Sequence, residues 1–185
     1  IYSLKKWCRL AVKGNPTVLL LLFAQEPFIL QRQDPWAEEL QRLAPAFIGR
    51  HIAAPFIGYM TAQMERLVGE RGQKRVRRPE LESAHGYDTK YAMHVLRLGF
   101  QGRELLQTGR LALPMTHPPA EICRSVRRGE RDLNFVLTLA GELREEIRLL
   151  GEDSPLDAGP ANDAVEDFLV RVYHEWWHVT GRLKT

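Results

Sequence analysis

Residues 86–100 read GYDTKYAMHVLRLGF, and the rest of the fold is best understood outward from this stretch. Lys90, His94 and Arg97 follow one another at intervals of four and three, so on a helix they share one face, while most of the other positions are apolar. This basic stripe is either the solvent-facing side of a largely buried helix, or it lines a pocket that holds an anionic group. Asp88 is suited to cap the helix, and the N–H groups at that end would add to an anion site.

The overall composition is that of a globular protein. The 185 residues are 44% hydrophobic and 26% charged, and the net charge of +3 favours anionic partners only mildly. The two cysteines, Cys8 and Cys123, are far apart and predict neither a disulfide framework nor a thiolate metal cage, so a cytoplasmic location is expected. The longest apolar run, residues 17–24, is too short to span a bilayer, so we expect no membrane partner.

Helical patterns cover most of the chain and predict a mainly α, helical bundle-like domain. They fall at residues 2–12, 35–43, 88–107, 119–128, 132–150 and 163–181, and residues 44–67 give two short helical pieces broken at Pro45 and Pro55. Asn15 is suited to cap a helix that begins at Pro16. Gly99 and Gly102 are expected to weaken the middle of the helix at 88–107, and residues 108–115 are predicted to form an extended segment or short strand. These patterns predict a helical region at residues 1–150, followed at 151–185 by a linker and a C-terminal helix packed on the same domain.

A basic segment interrupts the helical patterns. Residues 70–85 are predicted to form an exposed loop, because they contain almost no apolar residues. Its five clustered cations are Arg71, Lys74, Arg75, Arg77 and Arg78. Such a run binds RNA phosphates without sequence specificity, and the lack of interleaved aromatic residues argues against base stacking.

Residues 174–181, HEWWHVTG, contain the H-E-x-x-H spacing of zinc proteases. The longer form of that motif places a third histidine at position 184, where this chain has Lys184. We therefore interpret the segment as the end of a C-terminal helix, with Trp176 and Trp177 packed and the histidines partly exposed. No metal ligand is predicted.

Three stretches together resemble the predicted, RNA-ligase-associated nucleotidyltransferases of the DNA polymerase β superfamily. They are YSLKKWCRLAVKGNPTVLLLLF, FIGYMTAQMERL and GYDTKYAMHVLRLGFQGRELLQTGRLALP, of which the G-Y-D-T-K-x-A-M-H-x-x-R portion is the specific one. The resemblance spans residues 2–114. The chain departs from the family pattern at Leu20, where the family has glutamate, and at Thr17, where it has asparagine.

The resemblance implies a fold and a site. It implies that this is the helical part that follows an α/β nucleotidyltransferase core, and we expect the family's G-S and D-x-D residues, which hold Mg²⁺, to precede Ile1, because the chain contains neither motif. It also implies that a set of residues lies beside a nucleoside triphosphate. These are Lys6, Asn15, Tyr87, Asp88, Lys90, His94 and Arg97.

The expected function follows from this resemblance. Lys90 and Arg97 would neutralise triphosphate charge, and His94 would hydrogen-bond a phosphate or sugar oxygen. We therefore expect a nucleotidyltransferase that moves a nucleotide from a nucleoside triphosphate to an acceptor, with RNA as a candidate acceptor. The alternative is a non-catalytic helical module that binds RNA or a partner protein.

Overall fold

The computed structural model describes residues 2–26, 29, 35–69 and 78–181, and these residues form ten α-helices and no strand. The helices are α1 (Leu4–Val12), α2 (Pro16–Leu19), α3 (Trp36–Arg42), α4 (Ala44–Phe47), α5 (Ala53–Val68), α6 (Pro79–His85), α7 (Thr89–Thr108), α8 (Pro119–Arg127), α9 (Leu133–Asp153) and α10 (Asn162–Val179). The prediction of a mainly α fold is therefore confirmed. Within the described ranges, no helix combines the length and the apolarity needed to cross a membrane.

Helix α7 is the centre of the fold. It packs against α5, α8 and α9, and α5 also contacts α9, so α5, α7 and α9 share one hydrophobic core. Phe56 from α5, Leu96 from α7 and Ile147 from α9 are among its fully buried side chains. Burial of residues from three different helices holds α7 in place along its length.

Two glycines allow α7 to approach its neighbours closely. A Cβ atom at Gly99 would lie 2.8 Å from Cδ1 of Leu143 and 3.0 Å from Cε of Met60. A Cβ atom at Gly102 would lie 2.7 Å from Cδ1 of Phe56. The sequence predicts that these glycines weaken the helix, but in the fold they are positions where a larger residue would clash with α5 and α9.

Side-chain caps set the start of several helices, among them α7 and α2. Asp88 caps α7, because its Oδ1 atom accepts hydrogen bonds from the backbone N–H groups of Lys90 at 3.0 Å and Tyr91 at 3.1 Å. Asn15 caps α2 in the same way through the N–H group of Thr17 at 3.0 Å. Both caps are predicted from the sequence and both are confirmed.

The C-terminal helix α10 packs against α1 and α4. The linker before it is fixed to the body of the protein by backbone hydrogen bonds, since the N–H group of Ala161 donates to the carbonyl of Ala46 at 2.9 Å. Farther back in the linker, the carbonyl of Asp157 accepts from the N–H group of Arg50 at 2.8 Å. The end of the described chain is thus tied to helices from its beginning.

Two local predictions are wrong. Residues 108–115 do not form a strand: Thr108 ends α7, and residues 109–115 form a loop whose polar groups bond locally and to α7, since the N–H group of Ala112 donates to Oε1 of Glu104 at 2.9 Å. Residues 79–85, assigned to the basic loop, instead form α6. Pro79 suits the first turn of a helix, and Gly86, at φ 79°, suits the residue after its end.

Candidate functional site

The basic stripe of α7 borders a cavity. Lys90, Tyr91 and His94 line a space of about 250 Å³ together with Arg78. Lys90 is exposed, whereas His94 and Arg97 are half-buried, so the stripe passes from solvent into the protein along its length. It is therefore not a uniformly solvated helix face.

A second and larger cavity adjoins the first, and Tyr91 lines both. Its volume of about 600 Å³ is within the usual range for ligand sites. Most of its lining comes from α5: Pro55, Gly58, Tyr59, Ala62, Gln63 and Arg66. We refer to the two adjoining cavities together as the α5–α7 groove.

The lining of the groove is positively charged. Arg66, Arg78 and Lys90 all line it, and none of its lining residues in the described part of the chain is a carboxylate. A concave surface with one sign of charge concentrates ligands of the opposite sign. The electrostatics of the groove therefore favour an anionic ligand.

His94 is held in one protonation state. Its Nδ1 atom lies 2.9 Å from Nη2 of Arg97, and since a guanidinium can only donate hydrogen bonds, Nδ1 must be the acceptor. Burial and, as the smaller cause, the positive charge of Arg97 together lower the pKa of His94 to about 4. At neutral pH the imidazole is therefore uncharged, with its proton on Nε2 as a hydrogen-bond donor.

Arg97 is only partly satisfied. Its Nε atom is buried and has no hydrogen-bond partner among the described residues. A buried donor without a partner costs on the order of 1–3 kcal/mol. The Nε–H group of Arg97 can therefore donate to a bound anion or water without breaking a contact within the protein.

Asp88 and Tyr87 position the start of α7. Asp88 is fully buried, and its Oδ2 atom accepts a hydrogen bond from Nη1 of Arg78 at 3.0 Å. The hydroxyl of Tyr87 donates to the backbone carbonyl of Arg131 at 2.6 Å. Neither residue lines the groove. The resemblance implies that both lie beside the nucleotide, and in the structure their contacts hold the helix that carries the groove residues.

Asn15 and Lys6 lie in different surroundings. The side-chain amide of Asn15 donates to the hydroxyl of Tyr59 at 2.6 Å, so Asn15 is joined to the groove through one of its lining residues. Lys6, on α1, instead places its Nζ atom 4.9 Å from the centre of the Tyr2 ring, and Lys6 does not line the groove. The structure thus joins Asn15 to the α5–α7 groove through Tyr59, whereas Lys6 does not line the groove.

The basic segment is described only at its end. Four of the residues predicted to contact RNA lie outside the described residues: Arg71, Lys74, Arg75 and Arg77. Arg78 is described, pairs with Asp88, and lies 5.3 Å from the centre of the Tyr91 ring. With a side chain only 19% exposed, Arg78 belongs to the groove and not to a solvated loop.

The groove does not supply a metal site. The part of the chain that the structure describes contains no group of three or more His, Cys, Asp or Glu side chains that could hold a metal ion. Asp88, the carboxylate nearest in sequence to the stripe, is already engaged by Arg78 and by two backbone N–H groups. These residues therefore do not fit the ligand set of the expected Mg²⁺.

The half of the groove that belongs to α5 was not predicted from the sequence. Tyr59, Gln63 and Arg66 lie at intervals of four and three, the same spacing as the stripe of α7. That repeated spacing was the available signal, since two polar stripes on helices that pack together meet at one groove.

The described residues form a mainly helical fold with a positively charged groove, and the comparisons specify the class of protein. The sequence model of the RNA repair pathway DNA polymerase beta family (RlaP) matches residues 1–170. The chain therefore belongs to this family of DNA polymerase β-like nucleotidyltransferases, which confirms the resemblance seen in the sequence. No curated protein and no solved structure matches the chain. Polymerase β-type nucleotidyltransferases generally use divalent metals.

Proposed function

We propose that the α5–α7 groove binds a nucleoside triphosphate, and that the protein transfers the nucleotide to an acceptor. The observation that carries the proposal is the lining of two adjoining cavities by Arg66, Arg78 and Lys90, with no lining carboxylate among the described residues. Charge-assisted hydrogen bonds from such groups are the usual means of holding phosphate oxygens. Family membership supports a nucleotide as the ligand.

The two parts of the groove suit different parts of the ligand. The larger cavity has the rings of Tyr59 and Tyr91 in its lining, and aromatic faces suit a base or a sugar. The smaller cavity has Arg78, Lys90 and His94, which suit the phosphates. We therefore propose that the nucleoside lies along α5 and that the triphosphate lies at the N-terminal half of α7.

The chemical role of the α5–α7 groove is electrostatic. When an acceptor hydroxyl attacks the α-phosphorus, negative charge moves onto the departing pyrophosphate. Lys90 and Arg78 would stabilise that charge, and the Nε2–H group of His94 would donate to a phosphate oxygen without adding a further charge. We propose Mg²⁺ as the metal that the family uses, but the described residues do not fit its ligand set, so no step is assigned to it.

RNA is the acceptor class that we propose. The matched family is described as belonging to an RNA repair pathway, and the four basic residues Arg71, Lys74, Arg75 and Arg77 follow α5 directly in sequence. Non-specific phosphate contacts of this kind would hold an RNA strand without selecting its sequence. A cytoplasmic location is consistent with both substrates.

The proposal is tested by measuring ATP affinity by calorimetry for the wild type, Arg66→Gln and Lys90→Gln. Each substitution should weaken binding about ten- to a hundredfold, since loss of one charge-assisted contact costs on the order of 1.5–3 kcal/mol. Arg124→Gln is the matched control, because Arg124 is 64% exposed on α8 and pairs with Glu121. Unchanged ATP affinity in both groove variants would refute the proposal, and ATP binding without transfer in a protein that carries the family's G-S and D-x-D residues would favour the non-catalytic alternative.

A further inference from the structure

The end of α10 carries two histidines whose ring nitrogens meet. The Nε2 atoms of His174 and His178 are 3.2 Å apart, and the ring centres are 4.4 Å apart. Residues four apart lie on successive turns of one helix face, and both side chains are exposed to solvent. The two Nε2 atoms thus lie next to each other on one face of the helix.

The separation of these nitrogens fits two ligands of a single metal ion. Zinc–nitrogen bonds measure about 2.0–2.1 Å, so two of them span about 2.8 Å when they meet at a right angle and about 3.4 Å at a tetrahedral angle. The observed 3.2 Å lies between these limits. Without a metal, the contact is a hydrogen bond from the Nε2–H group of one ring to the lone pair of the other, so the two nitrogens already lie at the spacing of a chelate before an ion arrives.

We propose that His174 and His178 chelate a divalent transition-metal ion of the Zn²⁺ and Cu²⁺ class, with water in the other coordination positions. On binding, the ring that donates the hydrogen bond moves its proton from Nε2 to Nδ1 through solvent, so both Nε2 lone pairs face the ion and the net proton count is unchanged. Neutral imidazole selects this class of ion, whereas Mg²⁺ prefers oxygen ligands. The site is therefore separate from the Mg²⁺ expected for the transfer reaction.

The proposal is one of binding and not of proteolysis. Glu175, which would act as the base in a zinc protease, accepts a hydrogen bond at Oε2 from the indole N–H of Trp36 at 2.5 Å. Its Oε1 atom lies 3.7 Å from Nη1 of Arg171. Because both carboxylate oxygens already have partners, Glu175 does not serve a metal-bound water.

The two cysteine thiols of the protein do not compete with the histidine pair for the ion. Cys8 and Cys123 are both buried and free. Burial raises the pKa of Cys8 to about 12 and that of Cys123 to about 11, so both thiols remain protonated at neutral pH. A thiol must lose its proton to bind a metal, which leaves the histidine pair as the accessible soft site.

The test is a calorimetric titration of the whole chain with Zn²⁺ at neutral pH, on the wild type, His174→Gln and His178→Gln. One ion per chain should bind the wild type. Each variant should lose at least about tenfold in affinity, because removal of a partner that only supports a ligand already costs that much. His117→Gln is the control, since His117 is exposed and lies between α7 and α8.

A second measurement keeps the test independent of any effect on folding. The chelate joins the last two turns of α10, so Zn²⁺ should slow amide hydrogen exchange at residues 171–179 in the wild type and in His117→Gln, and not in the two chelate variants. Zn²⁺ affinity that survives in both single variants, or exchange that does not respond to Zn²⁺ in the wild type, would overturn the proposal. Neither result bears on the nucleotide groove, which is tested separately with ATP.

Discussion

Arg97 donates a hydrogen bond to Nδ1 of His94 across 2.9 Å, and a guanidinium has no acceptor with which to reverse these roles. The neighbour one turn along the helix therefore decides which nitrogen of His94 carries the proton. It also keeps the imidazole neutral, because a second positive charge beside Arg97 is unfavourable. Within the proposed site, Arg97 acts on the ligand largely through the donor that it fixes.

The first prediction concerns pH. In the folded protein the pKa of His94 is lowered to about 4, whereas its ordinary pKa is 6.5. Between these values the unfolded chain takes up a proton that the folded chain does not, so the free energy of unfolding should fall as pH drops from 6.5 to about 4.

The measurement is urea unfolding of wild type and His94→Gln from pH 7 to pH 4. The variant should lose part of the pH dependence. It should keep the part due to His51, whose pKa burial also lowers. His117→Gln, with its exposed ring, should retain the full wild-type slope. If wild type and His94→Gln show the same slope, His94 is not held neutral by the fold.

The second prediction concerns the glycines of α7. Gly102→Ala should destabilise the protein by about 1–2 kcal/mol, because a clash with buried groups costs more than the gain from a better helix former. The added Cβ would meet Phe56 at 2.7 Å and Ile147 at 2.9 Å. Thermal unfolding followed by circular dichroism measures the change.

Gly141→Ala in α9 is the matched control. No atom lies within 4 Å of a Cβ placed there, so only the gain in helix propensity remains, and the variant should be more stable by about 0.5–1 kcal/mol. The two substitutions make the same chemical change in helix interiors, so opposite signs isolate the packing effect. A stabilised Gly102→Ala variant would show that α5 and α9 are not packed tightly on α7.

The third prediction separates Arg78 from the rest of the basic segment. Replacement of Arg71, Lys74, Arg75 and Arg77 by Ser should weaken RNA binding and reduce its dependence on salt concentration. Arg78→Ser should instead lower the stability of the fold, because it leaves the buried carboxylate of Asp88 without its ion pair.

RNA affinity at several salt concentrations, measured beside the melting temperature, distinguishes the two variants. Asp88→Asn is informative as a companion to Arg78→Ser. It removes the buried negative charge but keeps an Oδ1 atom that can cap α7, so it should be milder than Arg78→Ser. RNA affinity that is unchanged in the fourfold variant would exclude the segment as a phosphate-binding element.

Local interactions were the part of the structure that the sequence predicted well. Asp88 and Asn15 act as caps, and a cap depends on only the next two or three residues. The stripe of Lys90, His94 and Arg97 was predicted for the same reason, since helical spacing alone puts the three residues on one face. Family membership was accessible because its motif occupies one continuous segment.

Contacts between distant segments were beyond the sequence. The groove requires α5 to pack beside α7, and nothing local to Tyr59 or Arg66 shows which helix lies opposite. Arg78 was placed in a loop because the acid that pairs with it is ten residues away. The residues that follow Thr108 have a strand-like apolar pattern, but the carboxylate of Glu104 holds that backbone as a loop.

Helix α7 carries its own groove residues and the close-packed glycines on one continuous helix. Each residue turns an α-helix by about 100°, so the angle between the Lys90–Arg97 stripe and the Gly99–Gly102 face depends only on the number of residues between them. Insertion of one residue between Arg97 and Gly99 would rotate the stripe by about 100° while the core contacts stayed in place. The proposed ligand site and the core therefore share one angular register. An insertion or deletion in this segment preserves both only if its length is close to a whole number of helical turns.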